Sequence, residues 1–151
     1  MDAVNDIFKK ARERASAQNL PYAGSLLPAE AHALITQNPA VKLVDVRTRA
    51  EWEWVGKVPG AALVEWNTWP GGQPNANFVE DLRAQVPDPA TPVLFLCRSG
   101  GRSHNAAAAA AAAGYAQSFN VLQGFEGDKN DKGQRNTVGG WRAAGLPWMQ
   151  G

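Results

Sequence analysis

Residues 92–103 read Pro92-Val93-Leu94-Phe95-Leu96-Cys97-Arg98-Ser99-Gly100-Gly101-Arg102-Ser103, and the alanine run Ala106 to Ala113 follows. The unbroken apolar tract Val93 to Leu96 predicts a buried central strand. The alanines predict a helix over Ser103 to Gly114, because alanine loses the least on entering one. Between them lies a turn that Gly100 and Gly101 allow to be sharp and free of blocking side chains. A thiol at the carboxyl end of a strand, then a glycine turn, then a helix start describes an anion pocket with a nucleophile at its floor.

Working outward, apolar strand-like segments alternate with helical ones. Val4, Ile7, Phe8, Ala11 and Ala15 recur at helical spacing, and predict a short amphipathic helix packed on the outside of the domain. Pro21 to Leu27 reads as a connector. Pro28-Ala29-Glu30 is a helix first turn leading to Gln37, and Asn38-Pro39 stops it. Val41 to Val46 is a buried strand. Thr48 and Glu51 have capping-box spacing for a short helix. Val58 to Val64 reads as a turn and a short strand, and residues 67–77 as a surface loop. Phe78 to Gln85 is a helix and Ser118 to Leu122 the last clear strand. Residues 124–140 form a loop. Trp141 to Trp148 forms a turn or short helix that buries aromatics.

This alternation predicts an α/β fold with a mainly parallel central sheet flanked by helices, plus the extra N-terminal helix. The expected division is a helical extension over 1–20 and one domain over 21–151. Ligands in such sheets collect at the carboxyl ends of strands, where Cys97, Asp45-Arg47 and Glu65-Trp66 fall.

Composition narrows the function. The chain has 151 residues, 15 basic and 14 acidic, for a formal charge of +1, and 44% apolar residues. That balance argues against nucleic acid or a membrane surface as partner. Cys97 is the only cysteine, so an internal disulfide and a multi-cysteine zinc site are excluded. A lone thiol suits a reducing compartment, and the first ten residues have early acids and no signal-like apolar core, so the expected location is the cytoplasm. The two histidines lack metal-ligand spacing.

The backbone amides of the glycine turn, the positive end of the following helix, and Arg98 and Arg102 all favour a thiolate over a thiol at Cys97. The same donors suit an oxyanion substrate. Trp66, Trp69 and Arg135 stand where they could reach the pocket mouth, with surface packing as their ordinary role. His104 is expected to be a solvated helix residue.

The ordered set Leu43-Val44-Asp45-Val46-Arg47, Glu51-Trp52, Val58-Pro59-Gly60-Ala61, Cys97 to Ser103, Gly124-Phe125-Glu126-Gly127 and the Trp141 tail resembles a single-domain rhodanese, a sulfurtransferase, over about residues 24–148. That resemblance implies a rhodanese-like fold and thiosulfate sulfurtransferase chemistry. Cys97 would attack the outer sulfur of a small anionic donor such as thiosulfate, become a persulfide and release sulfite. An external acceptor, cyanide, a thiol or a sulfur-carrier protein, would take the sulfur. Arg98, Ser99, Gly100, Gly101 and Arg102 would bind the substrate. Asp45 and Ser103 would support the loop, Asp45 through Arg102 or loop amides. Arg47 and Glu51, four apart, are expected to form a structural ion pair. No metal or organic cofactor is implied.

Two other functions fit the pattern. A cysteine phosphatase or arsenate reductase also uses a thiolate in an anion loop ending in arginine, but with five residues between them, where this chain has Arg98, Ser99, Gly100 and Gly101. A non-catalytic rhodanese-like binding module is the other, although such modules usually lack the cysteine.

Overall fold

The computed structural model describes residues 2–150. Five strands form one sheet in the order β1-β5-β4-β2-β3, and every pairing is parallel. The strands are β1 (Gly24–Leu26), β2 (Lys42–Asp45), β3 (Ala62–Leu63), β4 (Val93–Leu96) and β5 (Ser118–Val121). The helices are α1 (Asp2–Gln18), α2 (Pro28–Gln37), α3 (Arg49–Trp54), α4 (Phe78–Gln85) and α5 (Gly101–Ala112). This is the α/β architecture expected.

One segment differs from expectation. Residues 24–26, read as part of a connector, form the edge strand β1 paired to β5. Three residues are too few to display a period of two, so the pairing rather than the pattern makes them a strand.

Side-chain parity along the strands divides the core into two layers. Leu94, Leu96, Phe119 and Val121 face α1, α2 and the C-terminal Trp141. Val93, Phe95 and Cys97 face α4 and α5, together with Val44 and Val46. Helix α5 lies close on that second face because its buried positions, Ser103, Ala106, Ala107 and Ala110, are all small. Helix α1 buries Val4, Phe8, Ala11 and Ala15. Its Arg14 makes a two-bond fork with Glu30 at the start of α2 (2.6 and 3.0 Å) and also reaches the Ser25 carbonyl. The N-terminal helix therefore shares the main core. No helix among the described residues is long and apolar enough to cross a membrane.

The topology fixes where a crevice opens. Strand β2 leads outward to β3 on one side, while β4 leads to β5 on the other. Connections that leave adjacent strands in opposite directions part above their carboxyl ends. The segment after β2 carries Arg47 to Glu51, and the segment after β4 carries Cys97 to Arg102.

The C-terminal segment crosses back to this end of the sheet. Lys57 and Met149 form an antiparallel bridge, and Arg142 reaches the Val55 carbonyl. Residues 141–145 are turn, with Trp141 fully buried and its indole N–H donating to the Pro147 carbonyl. Trp148 remains 42% exposed, so the tail buries one of its two tryptophans fully.

Candidate active site

Cys97 follows β4 directly and is 1% exposed. Its parity points the thiol at α5. The Gly100 amide donates to Sγ at 3.1 Å, and the Ser103 hydroxyl lies 3.3 Å from it. Gly100 can turn its N–H inward because its φ is +110°, a conformation costly for any residue with a Cβ. The amides of Ser99, Gly101 and Arg102 have no acceptor among the described residues, as befits the open first turn of a helix. With the start of α5 they leave the loop a set of uncommitted donors that flank Gly100 in sequence.

Ser103 is held in turn by Asn120 on β5. The Ser103 hydroxyl donates to Asn120 Oδ1 at 2.6 Å, and Asn120 Nδ2 donates to the Gly100 carbonyl at 3.3 Å. A ring thus runs from Cys97 through Ser103 and Asn120 to Gly100 and back to the sulfur. Asn120 is absent from the sequence-based set, yet parity could have found it. It stands in register with Phe95, two residues before Cys97, so it shares the face of the thiol.

The loop rests on a turn below it. The Phe125 amide donates to the Cys97 carbonyl, and the Glu126 and Gly127 amides both donate to the Arg98 carbonyl. Gly124 makes this contact possible: a Cβ there would lie 2.5 Å from the Cys97 carbonyl oxygen, and its φ is +64°.

Two ion pairs replace the ones expected. Asp45 does not meet Arg102 or the loop amides, and Arg47 does not meet Glu51. Asp45 instead accepts from the Arg47 amide and from its guanidinium (2.8 to 3.2 Å), with both side chains fully buried. The i,i+4 rule applies only inside a helix. Arg47 precedes Thr48, the extended N-cap of α3, so its side chain lies on the side of Asp45, two residues back. Arg47 also donates to the Gly56 carbonyl at 2.6 Å, and its guanidinium lies 4.3 Å from the centre of the Phe125 ring. Asp45 therefore reaches the loop indirectly, by fixing Arg47 under Phe125.

Glu51 pairs with Arg102. Two nearly parallel bonds of 2.7 and 2.9 Å join them, and Glu51 also accepts from the Thr48 amide and hydroxyl. Burial alone would raise the Glu51 carboxyl. The bonds and charge of Arg102, with those of Thr48, override it and hold the group at about 2. Burial tends to lower the Arg102 guanidinium, but Glu51, and then the charges of Cys97 and Asp45, raise it above its ordinary value. Arg102 is thereby a fixed part of the loop wall. Arg98 is exposed, and among the described residues no carboxylate lies within ion-pair distance of it.

His104 differs from the solvated residue expected. Its Nδ1 lies 2.7 Å from the Tyr22 hydroxyl and the ring is half-buried. Burial raises the Tyr22 hydroxyl above its usual range. Trp66 packs edge-on against Phe78, and Arg135 donates to the Gly127 carbonyl, so both have packing roles. Trp69 is 66% exposed and lines a cavity of about 430 Å³ with Trp54, Arg98 and Arg102. A cavity of about 490 Å³ lies at the opposite end of the sheet, lined by Pro39, Val41, Lys42 and Pro59 among others, away from the Cys97 loop.

The chain matches the Rhodanese-like domain over residues 27–131, which spans β2 to β5 and the whole Cys97 loop. It belongs to the rhodanese-like family. Among solved structures, the Rv0390 protein of M. tuberculosis is 44% identical, with a TM-score of 0.77 over 86% of this chain and 99% of that one. The uncharacterized protein RC0915 of Rickettsia conorii is 36% identical over 123 residues, covering 80% of this chain and 92% of its own length. The thiosulfate sulfurtransferase of Pseudomonas aeruginosa superposes with a TM-score of 0.60 at 23% identity, over 97% of this chain and 23% of that one, a likeness of fold. The rhodanese fold accounts for the parallel sheet and for the loop at the end of its central strand.

Proposed function

We propose that the chain is a sulfurtransferase that carries sulfane sulfur on Cys97. The observation that carries this reading is the sulfur itself, with the Gly100 amide on it and the amides of Ser99, Gly101 and Arg102 uncommitted in the same loop. Such a cradle stabilises a thiolate, and after reaction it stabilises the terminal sulfur of a persulfide.

Cys97 Sγ attacks the outer sulfur of a thiosulfate-like donor. A new S–S bond forms to Cys97, the donor's own S–S bond breaks, and its electron pair leaves on sulfite. Arg98 supplies the mobile positive charge that draws the dianion in, while Arg102, clamped by Glu51, shapes the wall. An acceptor such as cyanide or a thiolate then attacks the outer sulfur and returns Cys97 as a thiolate. No net oxidant or reductant is needed, and no metal or organic cofactor takes part. Four residues between Cys97 and Arg102 give a ring of amides that suits one sulfur atom better than a tetrahedral phosphate.

Thiocyanate formation from thiosulfate and cyanide tests the reading. The chain is expected to turn over and Cys97→Ser to be inactive. Phosphate release from an aryl phosphate without any thiocyanate would overturn it.

A further inference from the structure

Beside the loop, α3 and the segment 67–72 enclose the cavity of about 430 Å³ noted above. The Glu51–Arg102 pair lines it, and so does Arg98. Two indoles flank it: Trp54 is 77% exposed and Trp69 66% exposed. Among the described residues neither ring packs edge-on or face-on against another aromatic. Such large apolar surfaces are ordinarily buried, and two of them facing one basin mark a binding surface.

The charge of the basin is equally specific. Glu51 is neutralised by Arg102, which leaves the unpaired Arg98 as its net charge. The volume lies in the range of about 300–1,000 Å³ typical of sites for small organic molecules. Thiosulfate has no apolar surface to offer the indoles and fills little of this space. Arg98 and Arg102, from the loop that carries Cys97, line the basin, and the thiol beside them is 1% exposed, so a slender molecule suits the approach better than a broad protein surface.

We infer that this basin receives the sulfur acceptor, and that the acceptor is a small organic thiol with a flat apolar body and one anionic group. The inference rests on the persulfide reading above. Cys97 is the only cysteine, so no second thiol of this chain is available to take the sulfur. The acceptor's flat body lies against Trp54 and Trp69, and its carboxylate meets Arg98 in a charge-assisted bond. Its thiolate attacks the outer sulfur of the Cys97 persulfide. The new S–S bond forms on the acceptor, the bond to Cys97 Sγ breaks, and that electron pair stays on Cys97 as a thiolate. The product leaves as an organic persulfide.

The test is discharge of the preloaded Cys97 persulfide by para-mercaptobenzoate, para-toluenethiol, mercaptoethanol and cyanide. Para-mercaptobenzoate is expected to be the best thiol of the set. Trp54→Ala and Trp69→Ala are each expected to reduce the ratio of its kcat/KM to that of cyanide by about tenfold. Arg98→Gln is expected to reduce its advantage over the uncharged para-toluenethiol by a similar factor, about tenfold. Equal changes for every acceptor, or no preference for aryl thiols over mercaptoethanol, overturn the inference. A binding measurement separates this from failure of the persulfide chemistry. Para-mercaptobenzoate is expected to quench tryptophan fluorescence of Cys97→Ser saturably, and less strongly when Trp54→Ala is added. Absence of saturable quenching overturns the basin assignment whether or not the native protein transfers sulfur.

Discussion

Both carboxylate oxygens of Glu51 accept from Arg102, so the first turn of α3 is tied to the first turn of α5 across the crevice between β2 and β4. The pair is mostly buried, with side chains 19% and 23% exposed, and Glu51 closes the α3 capping box at the same time. One carboxylate thus holds a helix start and the Cys97 loop together.

This pair has a pH signature. The folded Glu51 carboxyl lies at about 2, below its ordinary 4.5. Its contribution is fully present above about pH 4.5 and is lost as the pH falls toward 2. At neutral pH it is worth about 3 kcal/mol. Denaturant unfolding at neutral pH and near pH 3 measures it. Glu51→Gln is expected to be less stable at neutral pH and to lose less stability on acidification than the native chain. Carboxylates such as Glu30, lowered by Arg14 against the effect of burial, contribute to both curves alike. Parallel curves for the two proteins would show that the pair is not formed.

The two loop arginines differ in commitment, so their removal has different effects. Arg102→Ala leaves Glu51 buried without its partner and frees the loop wall, a change expected to lower kcat for sulfur transfer by about 10²-fold. Arg98→Ala removes an unpaired exposed charge and is expected chiefly to raise KM for thiosulfate, by about tenfold, and more at low salt. Steady-state kinetics at two ionic strengths distinguishes them. Equal small effects on kcat would remove Arg102 from the scaffold.

The ring through Asn120 bears on the thiol. Asn120 Nδ2 is turned to the Gly100 carbonyl, so Oδ1 faces Ser103 and takes its only hydroxyl proton. Toward Cys97 Sγ, Ser103 then offers lone pairs, which can accept from a thiol and give a thiolate no proton. Asn120→Ala releases that hydroxyl to donate to a thiolate. Alkylation of Cys97 by iodoacetamide at fixed neutral pH is expected to be faster in Asn120→Ala, by about tenfold. The gain should vanish when Ser103→Ala is added. Unchanged rates in a folded Asn120→Ala, or a gain that survives loss of Ser103, contradict this ordering of the protons.

Much of this is legible in the linear chain. Helix α4 and strand β4 begin and end where their apolar patterns do, and the Thr48–Glu51 cap forms as its spacing predicts. What is not legible is which charged groups pair across the crevice. Asp45, Arg47, Glu51 and Arg102 offer two plausible pairings. The choice follows from Arg47 standing outside α3 and from the β2–β4 register, neither of which local spacing contains. Strand β1 is hidden for a related reason, since its three residues become a strand only through β5. Trp54 is not legible as a basin residue, because a tryptophan in a short helix ordinarily marks core, whereas here it is 77% exposed.

The proposed persulfide on Cys97 can be weighed directly. Intact-protein mass spectrometry after incubation with thiosulfate is expected to show a gain of one sulfur atom, mapped to the Cys97 peptide, removed by cyanide and absent from Cys97→Ser. No gain with thiosulfate, polysulfide or an aryl thiosulfonate, in folded protein whose Cys97 still alkylates, would contradict the account.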